Sequence, residues 1–350
     1  MQIYLILSVL LISITSQSVA VERDQTRPTT PKVEQQLQQE TQEAQETQQI
    51  STAWQAPAGL RQTPIWPHGA PDMPKRDYPA ESTQMMAPPS VALHRNYTQV
   101  LDVTQPTMMI FPPKTPNTGA AIVVFPGGGF RILAIDLEGT EICDWLTAQG
   151  MTCVLLKYRV PKGNHYWDKD CRCHITPKVP LALQDAQRTI RLVRAQAKEL
   201  HIDPNKIGVI GFSAGGYLVA QTSNIFKSSY QAIDAADQLS SRPDFAIALY
   251  PGHLCRAGDK LDPSLPVTKQ TTPTFLLQAW DDPVDKICNS TVYAKALSDA
   301  GVNSEVHLFA KGGHAFGLRN NPHPIATWPS LVENWLRELD VLPAQSSSKD

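Results

Sequence analysis

Residues 207–216 read Ile207-Gly208-Val209-Ile210-Gly211-Phe212-Ser213-Ala214-Gly215-Gly216, and this stretch decides the fold. A short apolar run passes through G-x-S-x-G into residues with helical character, the strand-turn-helix setting that gives the pentapeptide its meaning. A turn sharp enough to lift a serine hydroxyl above a sheet leaves no room for Cβ atoms on either side, hence the small residues. The head of the following helix adds unpaired N–H groups and partial positive charge where an oxyanion would form. Ser213 is therefore the candidate nucleophile and Ala214 a candidate oxyanion donor. A glycine-rich turn without chemistry is the competing reading, and the rest of the chain has to decide between them.

Outward from this turn, short apolar runs alternate with amphipathic stretches. Strands are expected at Ala120 to Phe125, Thr152 to Tyr158, Lys206 to Gly211, Phe245 to Tyr250, Thr274 to Ala279 and Glu305 to Phe309. Between Pro180 and Leu200, the residues Leu183, Ala186, Ile190, Val193, Ala197 and Leu200 recur at alternating spacings that put one apolar face on a helix. Helices are also expected over Glu138 to Gln149, Ala214 to Ser223, Asn289 to Ala300 and Ile325 to Leu339. Regular alternation of strand and helix implies an α/β fold, with a mostly parallel sheet covered on both faces. Such sheets carry their chemistry beyond the C-terminal ends of the strands.

The loops there are informative. Pro126-Gly127-Gly128-Gly129-Phe130 follows a strand and can present bare backbone N–H groups, so Gly128 and Gly129 are candidate oxyanion donors. It lacks both the Lys-Ser/Thr ending and the G-x-G-x-x-G spacing of phosphate-binding loops. Asp281 and Asp282 follow the strand ending at Ala279, and Gly312-Gly313-His314 follows the strand ending at Phe309. Serine needs a base and the base needs an orienting carboxylate. The order Ser, Asp, His, each just past a strand, is that of α/β-hydrolases. Any one of these residues alone has an ordinary structural role; four ordered elements make the glycine-turn reading hard to sustain.

Composition is that of an ordinary globular protein: of 350 residues, 42% are hydrophobic and 18% charged, with 31 Lys plus Arg against 33 Asp plus Glu. That balance leaves no basic footprint for a nucleic acid partner.

The chain from about Pro64 to Leu339 resembles the secreted bacterial α/β-hydrolases related to acetylxylan esterases and other carbohydrate esterases. The resemblance rests on Ile65-Trp66-Pro67, the Pro-Gly-Gly-Gly-Phe loop, Glu138-Gly139, Leu156-Lys157-Tyr158-Arg159-Val160-Pro161, Leu183-Gln184-Asp185-Ala186, Gly211 to Gly216 and Gly312 to Leu318. It implies an α/β-hydrolase fold without a large cap domain. It further implies Ser213 as nucleophile, His314 as base, Asp282 as orienting acid, and Gly128, Gly129 and Ala214 as oxyanion donors. One stretch departs from the family pattern: after Asp282 the family runs toward Pro-x-Glu-Asn, whereas here Lys286-Ile287-Cys288-Asn289 follows. Between the two acids the counting divides. Four residues beyond Gln278 stands Asp282, yet a hydrophobic residue three positions on belongs to Asp281, since Val284 follows it and Asp285 follows Asp282. The resemblance aligns Gln278 with a strand-edge His and favours Asp282, leaving Asp281 to hold the loop through backbone N–H groups.

Residues 1–20 contain no Lys, Arg, Asp or Glu and offer Ser18-Val19-Ala20 as a cleavage site, which reads as a signal peptide; a retained membrane anchor is the alternative. Residues 21–53, rich in Gln and Glu, read as a disordered tether. Residues 54–343 form the catalytic domain, with a disordered tail at 344–350. Secretion or export to a periplasm follows, with no membrane partner after cleavage. Cys143 and Cys153 read as buried small hydrophobes, while Cys171, Cys173, Cys255 and Cys288 fall in loops with three possible connectivities. The spacing Cys171-Arg172-Cys173 is too tight for a zinc site, and neither metal nor cofactor is expected. Gly163 to Pro177, with aromatic and acidic residues, either covers a sheet edge or lines the pocket.

The function these features imply is a serine carboxylesterase removing short acyl groups, acetyl above all, from carbohydrate or similar small-molecule or polysaccharide esters. A serine peptidase of the prolyl-oligopeptidase type shares the triad order, but the sequence shows no propeller-sized β region. A catalytically inactive hydrolase fold used as a binding module would be expected to have lost Ser213 or His314.

Overall fold

The computed structural model describes residues 52–87, 95–163, 167–168, 173–174 and 180–344. Eight strands form the central sheet: β1 (Thr63–Pro64), β2 (Thr107–Phe111), β3 (Ala121–Phe125), β4 (Thr152–Lys157), β5 (Ile207–Phe212), β6 (Ala246–Leu249), β7 (Thr274–Ala279) and β8 (Ser304–Phe309). Their spatial order is β1-β2-β4-β3-β5-β6-β7-β8. From β4 to β8 neighbours are parallel; β1 and β2 add two antiparallel pairings at one edge. β3, β4, β5, β6 and β7 are buried at every position, as strands covered on both faces must be. They read in sequence as continuous apolar runs for that reason.

Among the described residues five α-helices flank the sheet: α1 (Glu141–Ala148), α2 (Leu181–Ala195), α3 (Ala214–Asn224), α4 (Cys288–Asp299) and α5 (Trp328–Glu338). In α2 the expected stripe Leu183, Ala186, Ile190 and Val193 is buried. Two helices start later than expected because a different kind of turn leads into them. A π-helical turn, Asp136–Thr140, precedes α1, and a 3₁₀ turn, Pro324–Thr327, precedes α5.

The family-type motifs outside the glycine loops converge in the core. Asp185 on α2 takes hydrogen bonds from Trp66 Nε1 (2.7 Å), Arg159 Nε (2.9 Å) and the Arg159 backbone N–H (2.9 Å). Tyr158 donates to the Pro126 carbonyl at 2.5 Å. These residues form a buried polar cluster whose hydrogen-bonding groups are satisfied, and Tyr158 ties it to the start of the glycine loop.

The cysteines require a correction. Cys143 and Cys153 are not isolated thiols but a disulfide, with Cα atoms 5.3 Å apart. The chain turns directly from α1 into β4, so a helix residue and a strand residue ten positions apart face each other within bridging distance. A second disulfide joins Cys255 to Cys288; Cys171 lies outside the described residues, as do the N-terminal segments 1–51 and the tail from 345. Of the aromatic loop after Pro161, described positions 167–168 and 173–174 pair as a short antiparallel ladder.

Candidate active site

The end of β5 turns into α3 through Ser213, whose φ of 53° and ψ of −118° lie where non-glycine residues rarely sit. The turn is held on the next strand: the Ser213 N–H donates to the Leu249 carbonyl (3.1 Å), and the Gly252 N–H donates to the Ser213 carbonyl (3.1 Å). A Cβ on Gly215 would stand 2.0 Å from the Phe125 carbonyl oxygen. Glycine there lets α3 approach the end of β3, which is where the glycine loop begins.

Ser213 Oγ lies 3.0 Å from His314 Nε2, and His314 Nδ1 lies 2.8 Å from Asp282 Oδ2. The three side chains come from the loops after β5, β7 and β8. Asp282 is fully buried on its side chain and the His314 ring is 8% exposed, so the chain of hydrogen bonds is shielded from solvent. Asp282 Oδ1 is occupied by the backbone N–H groups of Val284 and Asp285, both at 2.9 Å. Asp281 points elsewhere and accepts the N–H groups of Gly312 (2.9 Å) and Gly313 (2.8 Å). It thus holds the loop that presents His314.

Burial works against a charged His314, but the hydrogen bond to Asp282 and the negative charges of Asp285, Asp282 and Glu138 outweigh it and raise its pKa. The ring also packs edge-on against Tyr250, with centroids 4.9 Å apart. A hydroxyl bonded to an imidazole that is backed by a carboxylate has the chemistry of an activated nucleophile.

The glycine loop begins against the serine turn: a Cβ on Gly127 would stand 2.9 Å from Ser213 Cβ. Gly128, with φ of 131°, occupies backbone space closed to other residues, and its carbonyl accepts the N–H groups of Arg131 and Ile132. Among the described residues neither the Gly128 nor the Gly129 N–H has an acceptor. The Ala214 N–H, first in its helix, has none within the helix.

Two acidic residues with no site role in the sequence reading stand here as well. Glu138, 2% exposed, accepts the Gly127 N–H at 2.8 Å and the Tyr250 hydroxyl at 2.9 Å. Burial pushes its carboxyl above the usual range, against the opposing pull of His314, Tyr250 and Gly127. A Cβ on Gly127 would come 2.6 Å from that carboxylate, so the bare glycine is what admits Glu138. Asp285 Oδ2 accepts from Ser213 Oγ at 3.3 Å and lies 3.8 Å from His314 Nε2. Burial pushes it up to about 6, with Asp282 adding to the shift and His314 and Ser213 opposing it.

The departing stretch after Asp282 has a structural purpose. Cys288 is bonded to Cys255, and Asn289 Oδ1 accepts the N–H groups of Leu254 and Cys255, both at 2.8 Å. Among the described residues the one cluster with metal-ligand types is Cys255, Asp259 and Cys288. Its sulfurs are tied up in the disulfide rather than available as thiolates.

Residues 181–339 match the prolyl oligopeptidase family, and residues 109–248 match BD-FAE. The chain is 30% identical over 257 residues to the acetylxylan esterase of Xylanibacter ruminicola, covering 66% of this chain and 46% of that protein. It is 25% identical over 252 residues to the ethyl acetate hydrolase of Pseudomonas putida, covering 61% of this chain and 71% of that protein. The chain thus spans about half the length of the acetylxylan esterase it matches. Among solved structures, the acetyl ester-xyloside bifunctional hydrolase from Caldicellulosiruptor lactoaceticus superposes with a TM-score of 0.61 at 30% identity, over 81% of this chain and 97% of that one. The strand order, the serine turn and these likenesses agree: the chain belongs to the α/β-hydrolase family of esterases related to acetylxylan esterases.

Proposed function

We propose that this protein is a serine carboxylesterase that removes short acyl groups, acetyl foremost, from carbohydrates or similar polyhydroxy alcohols. The observation that carries this reading is the continuous hydrogen-bonded line from Ser213 Oγ through His314 to buried Asp282. Ser213 attacks the ester carbonyl as His314 takes its proton, and Asp282 fixes the ring and stabilises its cation. The oxyanion rests on the N–H groups of Gly128, Gly129 and Ala214. His314 returns the proton to the departing alcohol, and water then clears the acyl-enzyme by the same base.

Packing beside those donors supports a short acyl group. Phe130, next to Gly129, lies edge-on to Tyr217, one helical turn past Ser213, with centroids 6.2 Å apart, and His253 closes on both at 5.4 and 5.7 Å. Phe130 and Tyr217 are buried, so aromatic rings fill the space between the glycine loop and the first turns of α3. The likeness to an acetylxylan esterase and an ethyl acetate hydrolase points the same way.

Residues 1–20 act as an export signal and 21–53 as a tether for a catalytic domain at 54–343, with a tail at 344–350. N-terminal sequencing of protein recovered outside the cytoplasm would start after Ala20 if so. The central test is acetate release from a panel of acetylated sugars and polysaccharides, with Ser213→Ala protein as control. Release by the wild type alone supports the reading, and absence of release from every ester sinks it. The prolyl oligopeptidase match over 181–339 favours a peptidase as second reading. Cleavage of prolyl peptides without ester hydrolysis would establish that alternative.

A further inference from the structure

The esterase reading leaves the alcohol half of the substrate open, and one side chain beside the nucleophile is unused by the reaction. Asp285 Oδ2 lies 3.3 Å from Ser213 Oγ and 3.8 Å from His314 Nε2, and its side chain is 20% exposed. The carboxylate therefore reaches solvent on the side from which the leaving group departs, because the leaving oxygen must come within hydrogen-bond reach of His314 Nε2.

The position is built. The Asp285 N–H is held by Asp282 Oδ1 (2.9 Å), and its carbonyl takes a hydrogen bond from Gln278 Nε2 (2.7 Å). Gln278 is in turn fixed by Ser290 Oγ at 2.6 Å. On the far side, a Cβ on Gly252 would stand 2.7 Å from Asp285 Oδ1, so the bare glycine is what makes room for the carboxylate. Beyond it, the Cys255–Cys288 disulfide closes the loop onto the neighbouring hairpin.

Resting on the esterase reading, we propose that Asp285 is the residue that selects the alcohol: its carboxylate accepts a hydrogen bond from a hydroxyl on the carbon adjacent to the one that bears the ester oxygen, as sugars and other polyols carry, and repels anionic alcohols. The hydroxyl of a vicinal diol lies about one hydrogen-bond length from the ester oxygen, so one oxygen can face His314 Nε2 while the other faces Asp285 Oδ2 across their 3.8 Å separation. Such a donor also releases Ser213. In the free protein the single serine proton has two acceptors, His314 and Asp285. A substrate hydroxyl that satisfies Asp285 leaves that proton committed to the base. A simple alkyl ester leaves the carboxylate facing apolar carbon, a desolvation that nothing offsets.

The test uses glycerol 1-acetate and propyl acetate, which share a carbon skeleton and differ in the two hydroxyls. kcat and KM are measured on both for wild type, Asp285→Asn and Asp285→Val. Wild type favours glycerol 1-acetate in kcat/KM. Asp285→Val shrinks that preference by roughly tenfold to a hundredfold, the usual size of a hydrogen bond to a charged group. Asp285→Asn, which keeps an acceptor oxygen without the charge, falls between. Taking the ratio of the two esters cancels any general damage to the loop. A ratio unchanged in Asp285→Val overturns the assignment while leaving the esterase reading intact; a wild type that hydrolyses neither ester overturns both.

Discussion

Glu138 reaches across from the π-helical turn before α1 to hold the Gly127 N–H at 2.8 Å, from a position inside the protein. Its other oxygen takes the Tyr250 hydroxyl, and that hydroxyl in turn accepts the Gly317 N–H at 3.3 Å. One buried carboxylate thus links the start of the glycine loop to the far end of the His314 loop. Removing it orphans the Gly127 N–H and frees a loop whose N–H groups we propose as oxyanion donors. Glu138→Ala is expected to lower kcat by roughly ten- to a hundredfold, less than outright loss of an oxyanion donor, with KM little changed. Glu138→Gln keeps one acceptor and recovers part of the loss. A Glu138→Ala defect confined to KM would mean that the loop binds ester without acting on the transition state.

Ser213 presents its hydroxyl at the top of a strained turn, 3.0 Å from the only imidazole in line with a buried carboxylate among the described residues. Replacing it with Ala removes the attacking atom and keeps the turn. Hydrolysis of a small activated acetate ester is expected to fall by roughly 10⁴-fold or more, because such groups act as a unit. Covalent labelling by a serine-directed phosphonate should vanish with it. Labelling that persists at another serine would reassign the nucleophile.

How much of this was legible in sequence follows from burial. The parallel strands announced themselves because both faces are covered, as in Ala-Ile-Val-Val-Phe of β3. Thr107–Phe111, an antiparallel strand containing two methionines, and the side sheet of Ser82–Met86, Tyr97–Leu101 and Ile132–Ala134 did not. Most of their residues are half-exposed or lack β-branched character, so period does not mark them. In the site, Ser213 and His314 stood out through the glycines around them. Glu138 and Asp285 did not, since what makes them part of the site is approach from elements far apart in the chain. Asp285 was visible only as a charge three positions after Asp282, where a hydrophobic residue is expected. The Cys143–Cys153 bond was hidden for the same reason: it depends on how tightly α1 folds back on β4.

Acyl length is a further test. With Phe130, Tyr217 and His253 closed on one another beside the donor N–H groups, acetate and propionate esters of one alcohol should exceed octanoate in kcat/KM. Discrimination belongs to that ratio and not to KM alone. Truncating this cluster with Phe130→Ala should narrow the gap. Faster octanoate hydrolysis by the wild type would point to a tunnel elsewhere and to lipase-like chemistry.

The two adjacent acids are separable by experiment because they bond to different things. Asp282 holds His314 Nδ1, whereas Asp281 holds the Gly312 and Gly313 N–H groups. Asp282→Asn should lower kcat by roughly 10³- to 10⁴-fold by presenting the wrong tautomer, with circular dichroism unchanged. Asp281→Asn keeps an acceptor oxygen for the two amides and should cost far less. The reverse pattern in folded protein would move the acid by one residue.

The pH profile offers the last test, and its sign can be worked out from the charges around His314. As a base His314 works only when neutral, so kcat/KM is lost as the pH falls through its pKa in the free protein. Burial alone would lower that pKa; the Asp282 hydrogen bond and the charges of Asp285, Asp282 and Glu138 bring it above the ordinary histidine value. The acid limb should therefore lie on the high side of that value. Burial pushes Asp285 up to about 6, and it faces His314, Asp282 and the Ser213 hydroxyl, so the protons of the two groups are coupled. Asp285→Asn removes one of the anions that hold the proton on His314. Its limb, measured on propyl acetate to keep substrate hydroxyls out of the comparison, is expected at lower pH than that of the wild type. A limb that stays in place or moves upward would mean that Asp285 does not act on the charge of His314.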